Sequence, residues 1–235
     1  GDAGDDVLFG TNGSSVAGAF GNDTIFVDGG SEGSGGPGDD RVIGRADTLR
    51  LPGEPAPERT YVEGNTGNDF VQGNTGVDIV GGREASTLQA VIGQADIYGV
   101  TNAPDGSSHA DLGEARMIGF GGADAFEIVI DDLGDRSGDL WQDPALDVIN
   151  VFEDEPEVII NDFNIGEDTL LIDSEIPQDV RIEDDGAGGT LLTLDFGEAP
   201  NAQGISEAIE LSIQLRGVPV AGFDISLVNF ATASV

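Results

Sequence analysis

Short apolar runs recur along the first part of the chain at a fixed interval. Val7-Leu8-Phe9, Thr24-Ile25-Phe26 and Arg41-Val42-Ile43 start seventeen residues apart. Each follows a six-residue turn rich in glycine and aspartate: Gly1-Asp2-Ala3-Gly4-Asp5-Asp6, Gly18-Ala19-Phe20-Gly21-Asn22-Asp23 and Gly35-Gly36-Pro37-Gly38-Asp39-Asp40. Half-period echoes lie between them, Gly10-Thr11-Asn12-Gly13-Ser14-Ser15-Val16 and Gly29-Gly30-Ser31-Glu32. Each unit therefore predicts two turns and two very short strands, one coil of a flattened spiral. A constant period of this length is the signature of a solenoid.

Residue type in the turns points to a chemistry. Glycines at the first and fourth positions permit φ > 0, so backbone carbonyls can point into the turn instead of into a sheet ladder. The sixth position is Asp in all three copies. A carboxylate beside inward carbonyls is an all-oxygen site for a hard cation, and its loose geometry suits Ca²⁺ better than Mg²⁺. Asp6, Asp23 and Asp40 are expected to stack on one edge with an ion between neighbours. Ser15 and Glu32 would line the other edge and bind weakly or not at all.

Beyond Gly44 the pattern loosens. Two tandem copies, Gly64-Asn65-Thr66-Gly67-Asn68-Asp69 and Gly73-Asn74-Thr75-Gly76-Val77-Asp78, are in phase with the first three. Degenerate turns surround Asp47, Ser86, Asp96 and Asp124. Leu51 to Glu63, with Pro52, Pro55 and Pro57, reads as an inserted loop, as does Val100 to Ser108. Asp78 and Asp96 are expected to share an ion, and Asp69 faces Ser86 in a weaker site. The metal ligands expected are thus Asp6, Asp23, Asp40, Asp69, Asp78, Asp96, Asp47 and Asp124, with Gly1, Gly18, Gly35, Gly64 and Gly73 in the turns.

The later chain changes period. Phe126 to Ile130 alternates as a half-buried strand, and 131–143 reads as a polar loop whose Trp141 seals a junction. Val180-Arg181-Ile182 and Leu192-Thr193-Leu194-Asp195-Phe196 flank a glycine-rich turn, a hairpin signal. Ile209 to Arg216 and Ile225 to Phe230 continue the alternation, with a short helix allowed at Glu207-Ala208. These segments predict an antiparallel β cap over the last coil.

Gly35-Gly36-Pro37-Gly38-Asp39-Asp40-Arg41-Val42-Ile43 and its tandem copies resemble the RTX, or haemolysin-type, calcium-binding repeats, whose pattern is G-G-x-G-x-D-x-U-x. The segment Val158-Ile159-Ile160-Asn161-Asp162-Phe163-Asn164-Ile165-Gly166-Glu167-Asp168-Thr169-Leu170-Leu171-Ile172 is similar to the sequence that follows such repeats. There, Asp162 and Asp168 either hold a last ion or form a solvated turn. The resemblance implies an all-β fold: a parallel β-roll, the RTX solenoid, over 1–131 with an antiparallel β cap over 132–235. It also implies several Ca²⁺ ions and export in the unfolded state by type I secretion machinery that reads the C-terminal segment.

Charge sharpens the picture. Formal net charge is -36, all nine basic residues are Arg, and there is no Lys. Such a chain is repelled by nucleic acid and anionic membranes. Without divalent cations the repeat half should be an expanded coil, so metal binding and folding are coupled. Calcium-poor cytosol would keep it unfolded, and a calcium-rich exterior would fold it. No Cys is present, and no apolar run approaches the ~18 residues of a membrane span. The single His109 reads as a loop residue, which excludes the HExxH zinc motif. Gly29-Gly30-Ser31-Glu32-Gly33 matches GxSxG in form but lacks the strand and helix of a nucleophile elbow.

No carboxylate pair is singled out for catalysis, so the chain reads as a non-enzyme. Three function classes stay open: a secreted, calcium-folded structural subunit; the secretion and folding module of a longer RTX enzyme or adhesin; and a calcium-dependent polysaccharide-binding module. Gly1 is not an initiator Met, and the coil it begins has no capping segment before it. That asymmetry predicts linear head-to-tail self-association, the Gly1 coil meeting the region from Gly204 to Val235 of the next subunit.

Overall fold

The computed structural model describes residues 1–46, 49–50, 58–74, 76–92, 101–102, 108–109, 114–130, 147–148, 158–174, 177–200 and 206–231. Strands are numbered in chain order. Among the described residues the fold is all-β, with two single-turn 3₁₀ segments, Val220–Gly222 and Ile225–Leu227, and no α-helix.

Successive strands alternate between two sheets. The first sheet is parallel throughout and runs β1 (Val7–Gly10), β3 (Thr24–Asp28), β5 (Arg41–Arg45), β8 (Phe70–Asn74), β10 (Thr87–Ile92), β14 (Ala125–Ile130), β17 (Thr169–Asp173) and β21 (Val228–Ala231). In the second, β2 (Ser15–Ala17), β4 (Glu32–Pro37), β7 (Thr60–Thr66), β9 (Val77–Gly82), β13 (Ala115–Phe120), β16 (Val158–Ile160) and β20 (Ser206–Leu215) are parallel neighbours. Its outer strands, β19 (Thr190–Pro200) and β18 (Asp179–Asp184), are antiparallel. The two-residue strands β6 (Leu49–Arg50), β11 (Thr101–Asn102), β12 (Ser108–His109) and β15 (Asp147–Val148) pair antiparallel in a separate small sheet.

Register explains the repeat. The seventeen-residue period places Leu8, Ile25 and Val42 in one column, which continues through Val71, Leu88, Phe126 and Leu170 to Val228. Val62, Ile79, Met117 and Ile160 lie across from them on the second sheet, and all four are fully buried. Side chains alternate between faces with period two, so every second residue of each run enters this shared core. Glycine tunes its width: a Cβ on Gly44 would stand 2.7 Å from a methyl of Val62, and one on Gly73 2.6 Å from a methyl of Val77.

Several expectations change at this level. Thr60 to Glu63 belong to β7 and not to an inserted loop. Glu207 and Ala208 lie within strand β20, where pairing with β19 overrides local helix propensity. The parallel sheets also continue past residue 131, because β16 and β17 join β13 and β14 in parallel register and β21 joins β17. Antiparallel pairing among the described residues past 131 is that of β18, β19 and β20, together with β15 in the small sheet. Alternation reports which face a residue takes and says nothing of strand direction, so the sequence could not distinguish these cases. Trp141 lies outside the described residues.

Candidate metal centre

The six-residue turns lie on one edge and lead into first-sheet strands, the later ones from second-sheet strands. Their fourth positions, Gly4, Gly21, Gly38 and Gly67, have φ of 121°, 133°, 146° and 135°. A side chain is excluded there on two counts. These angles disfavour L-residues, and a Cβ on Gly38 or Gly67 would lie 1.8 Å from the carbonyl oxygen of Gly21 or Gly38. Coils therefore stack in direct backbone contact at this edge.

The sixth positions form a ladder. The amide of Asp6 donates to Oδ1 of Asp23 at 2.8 Å, Asp23 to Asp40 at 2.7 Å, and Asp40 to Asp69 at 2.8 Å. Ser86 then occupies the next rung, its amide donating to Oδ1 of Asp124 at 2.8 Å, and Asp124 donates to Oδ1 of Asp168 at 2.9 Å. From Asp23 onward, one oxygen of each carboxylate is thus consumed by the preceding coil.

The other oxygen sets the chemistry. Oδ2 of Asp23, Asp40 and Asp69 is buried with no hydrogen-bond partner. An anionic oxygen in that state is costly unless something positive meets it. Its neighbour is a second acceptor. The point where a Cβ on Gly18 would stand is 2.2 Å from Asp23 Oδ2 and 2.6 Å from the Gly35 carbonyl oxygen. For Gly35 the same distances are 2.3 Å to Asp40 Oδ2 and 2.7 Å to the Gly64 oxygen, and for Gly1 2.3 Å to Asp6 Oδ2 and 2.4 Å to the Gly18 oxygen. First-position glycines thus leave open a cradle walled by a carboxylate oxygen and the next coil's carbonyl. At Asp23 and Asp40 the carboxylate oxygen of this pair has no donor, which fits a hard cation, whereas Asp6 Oδ2 accepts from the amide of Asp2 at 3.0 Å. Among the described residues no three acidic, His or Cys side chains converge on one point. Each aspartate rung accordingly presents one carboxylate beside main-chain oxygens.

Electrostatics agree with the geometry. Burial pushes the carboxyls of Asp69 and Asp124 up to about 6, against the amide bonds from Asp40 and Ser86 that pull them down. Burial also raises Asp40, and the charges of Asp23 and Asp39 add to it.

A second ladder runs outside the first. Asn22 and Asn68 donate their amides to Oδ1 of Asp5 and Asp39 at 2.8 and 2.9 Å, and Asp39 donates to Oδ1 of Asn22 at 2.9 Å. Charged and neutral rungs alternate there, so adjacent coils do not oppose like charges.

The column ends in a change of chemistry. Asp168 uses both oxygens, accepting from Asp124 and, at 2.7 Å, from the Asn164 amide. Asp162 accepts from the amides of Gly119 and Phe120 at 2.9 and 2.7 Å. Asp168 thus bonds both the Asp124 rung and its own exposed turn, and Asp162 bonds the end of β13, so neither joins the row of unpartnered oxygens.

The opposite edge is built differently. Ser14 donates its amide to Ser31 Oγ at 3.1 Å, Gly30 donates to Thr60 Oγ1 at 3.2 Å, and Thr60 in turn donates to the Arg45 carbonyl at 3.1 Å. This hydroxyl column was missed from sequence, although Ser14 and Ser31 are themselves one period apart. Ser15 and Glu32 are register partners on β2 and β4. Ser31 is fully buried and leads into a strand, unlike a nucleophile elbow.

The structure brings together Asp6, Asp23, Asp40, Asp69 and Asp124 with Gly1, Gly18, Gly35 and Gly64. It does not bring Asp78 or Gly73 to them. Val77 and Ile79 enter the core, so Asp78 faces outward from β9 and pairs with Arg59 at 2.6 Å. Gly73 lies within β8, where its missing side chain makes room for Val77. Asp47 and Asp96 lie outside the described residues. No protein-family model matches the chain, and no curated protein matches it significantly.

Proposed function

We propose that this chain is a calcium-folded structural protein of the RTX type, a parallel β-roll that works outside the cell. One observation carries the reading: three successive rungs, Asp23, Asp40 and Asp69, each bury a carboxylate oxygen without a partner. In a chain of net charge -36, none of the ion pairs found among the described residues reaches these carboxylates. Asp6, Asp23, Asp40 and Asp69 would hold the ions, assisted by the carbonyls of Gly18, Gly35 and Gly64. Ca²⁺ in those positions supplies charge neutralisation between coils. The glycines keep the space open, and the amide ladder fixes each carboxylate so that its second oxygen points into the cradle.

Because unfolded aspartates bind such ions weakly, the binding free energy is folding free energy. At the calcium activity of cytosol the column is unshielded; in extracellular fluid, sites with Kd of about 10⁻⁴ to 10⁻³ M fill. This supports export as an unfolded chain through type I machinery and folding on release. Linear self-association belongs to the same reading, and the exposed Val7, Phe9 and Phe20 on the first two coils are consistent with it. Circular dichroism under Ca²⁺ titration tests the core of the proposal. Chelation should convert strand to coil and Ca²⁺ should restore it cooperatively; an unchanged spectrum in excess chelator rejects calcium-coupled folding.

A further inference from the structure

The repeat copy that departs from the column holds a cation of its own. Arg59 donates from Nε and Nη2 to Oδ1 of Asp78 at 3.0 and 2.6 Å, and from Nη2 to the carbonyls of Glu114 at 2.9 Å and Val77 at 3.4 Å. Arg59 precedes β7, Val77 and Asp78 open β9, and Glu114 precedes β13. These strands are consecutive neighbours in the second sheet. One guanidinium therefore ties three successive coils through a carboxylate and two main-chain carbonyls.

That oxygen set is of the same kind as the one offered at Asp23 and Asp40 on the first edge, where a carboxylate oxygen without a donor converges with a carbonyl of the next coil. The two edges differ in who brings the positive charge. A guanidinium is always charged and weakly hydrated, and its fixed fork of donors suits it to replace an ion between oxygens. The pair is largely shielded, with side-chain exposures of 23% for Arg59 and 30% for Asp78.

We infer that Arg59 is a resident cation, which holds the Asp78 coil junction by the bridging that the first edge obtains from bound Ca²⁺. The Asp78 carboxylate with the Val77 and Glu114 carbonyls is then a latent Ca²⁺ site, closed by the arginine. Removing the guanidinium opens it and makes a second region of the fold depend on metal. This inference rests on the calcium reading of the first edge, but its test separates the two.

The experiment counts bound Ca²⁺ on the full chain by native mass spectrometry and isothermal titration, with folding followed by circular dichroism. Wild type is compared with Arg59→Ala, Arg59→Lys and Arg59→Ala/Asp78→Asn. Arg59→Ala should bind one more Ca²⁺ than wild type, and its folding midpoint should move several-fold higher in Ca²⁺. Arg59→Lys, which keeps the charge, and the double variant, which lacks the carboxylate, should both show the wild-type count. An unchanged count in Arg59→Ala overturns the inference. So does its failure to fold at saturating Ca²⁺, because the ion then cannot replace the side chain. An extra ion in the lysine or double variant overturns it too, by placing that ion elsewhere. Should wild type bind no Ca²⁺ while Arg59→Ala binds one, the resident cation stands and the first-edge reading falls; no binding by either rejects both.

Discussion

The amide of Asp23 donates to Oδ1 of Asp40 across 2.7 Å, while Oδ2 of that same carboxylate is buried with no partner. Half of the side chain is a structural rung and half is an unmet charge. Substitutions that separate these halves are the sharpest probes of the column.

Asp40→Asn keeps the acceptor for Asp23 and replaces the unpartnered oxygen with an NH₂ group beside the Gly64 carbonyl. In chelator this variant should be more stable than wild type by about 1–3 kcal/mol, since a costly unsatisfied anion becomes a donor. In saturating Ca²⁺ the order should reverse. Thermal unfolding in both conditions checks the crossing; a variant less stable than wild type in chelator contradicts the unmet-charge account.

The ladder also predicts rank. Asp23 is 1% exposed and bonded on both sides, whereas Asp6 receives a bond from Asp2 at the end of the described column. Asp23→Ala should therefore lose more bound Ca²⁺ and more stability than Asp6→Ala, with Ser15→Ala nearly neutral. Isothermal titration of the three variants gives the comparison, and equal losses would contradict the one-edge assignment.

Stability of the metal-free chain should depend on pH in an unusual direction. Asp69 and Asp124 have folded values near 6, raised by burial above an ordinary value of 3.8. A raised carboxyl favours the folded state when protonated, so that contribution is complete below about pH 4 and is lost as pH rises through 6. In chelator, melting temperature should fall between pH 4 and 7. In Ca²⁺ it should rise over the same range, because protons then compete with the ion.

Ser86 is the rung where a hydroxyl stands between two carboxylate rungs, Asp69 and Asp124. Ser86→Asp restores a continuous column and should bind one additional Ca²⁺. It should also raise the Ca²⁺ concentration needed for folding, since one more buried charge must be met. Calorimetric stoichiometry decides; no added ion would mean that the cradle requires glycine at the fourth turn position, where Glu84 stands.

Glycine at the fourth turn position is required to different degrees. Gly38→Ala drives a Cβ to 1.8 Å from a backbone oxygen, whereas a Cβ on Gly4 meets nothing within 4 Å and suffers only its φ of +121°. Gly4→Ala should cost about 1–2 kcal/mol of strain, and Gly38→Ala about 4 kcal/mol or more. Urea unfolding in saturating Ca²⁺ compares them.

The Asp column was legible because one period governs both its turns and its apolar runs. A seventeen-residue step that brings Ile25 beneath Val42 necessarily brings Asp23 beneath Asp40. Asp78 stands apart from the column because the turn pattern and the alternation disagree there: Val77 and Ile79 claim the core, and their shared face forces Asp78 outward. Hydrophobic burial outweighed the glycine-aspartate pattern. Arg59 could not be foreseen, since its contacts join coils 19 and 55 residues away in sequence. Asp168 had been noticed, but its bond to Asp124 spans 44 residues and no period announces it.

The bonded pairs of the ladder are separated by 17, 17, 29, 38 and 44 residues, yet each of these bonds measures between 2.7 and 2.9 Å. Axial spacing is therefore independent of how much chain lies between rungs. Among the described residues, the added chain supplies β6, β11, β12 and β15 to the separate small sheet, while the stack keeps its register. Such a molecule can acquire peptide at the margins of a coil while its spine stays in register. The intervals after Asp40 and Ser86 are accordingly the places to graft a foreign epitope or binding loop, with the ladder left to hold it at a known height along the stack.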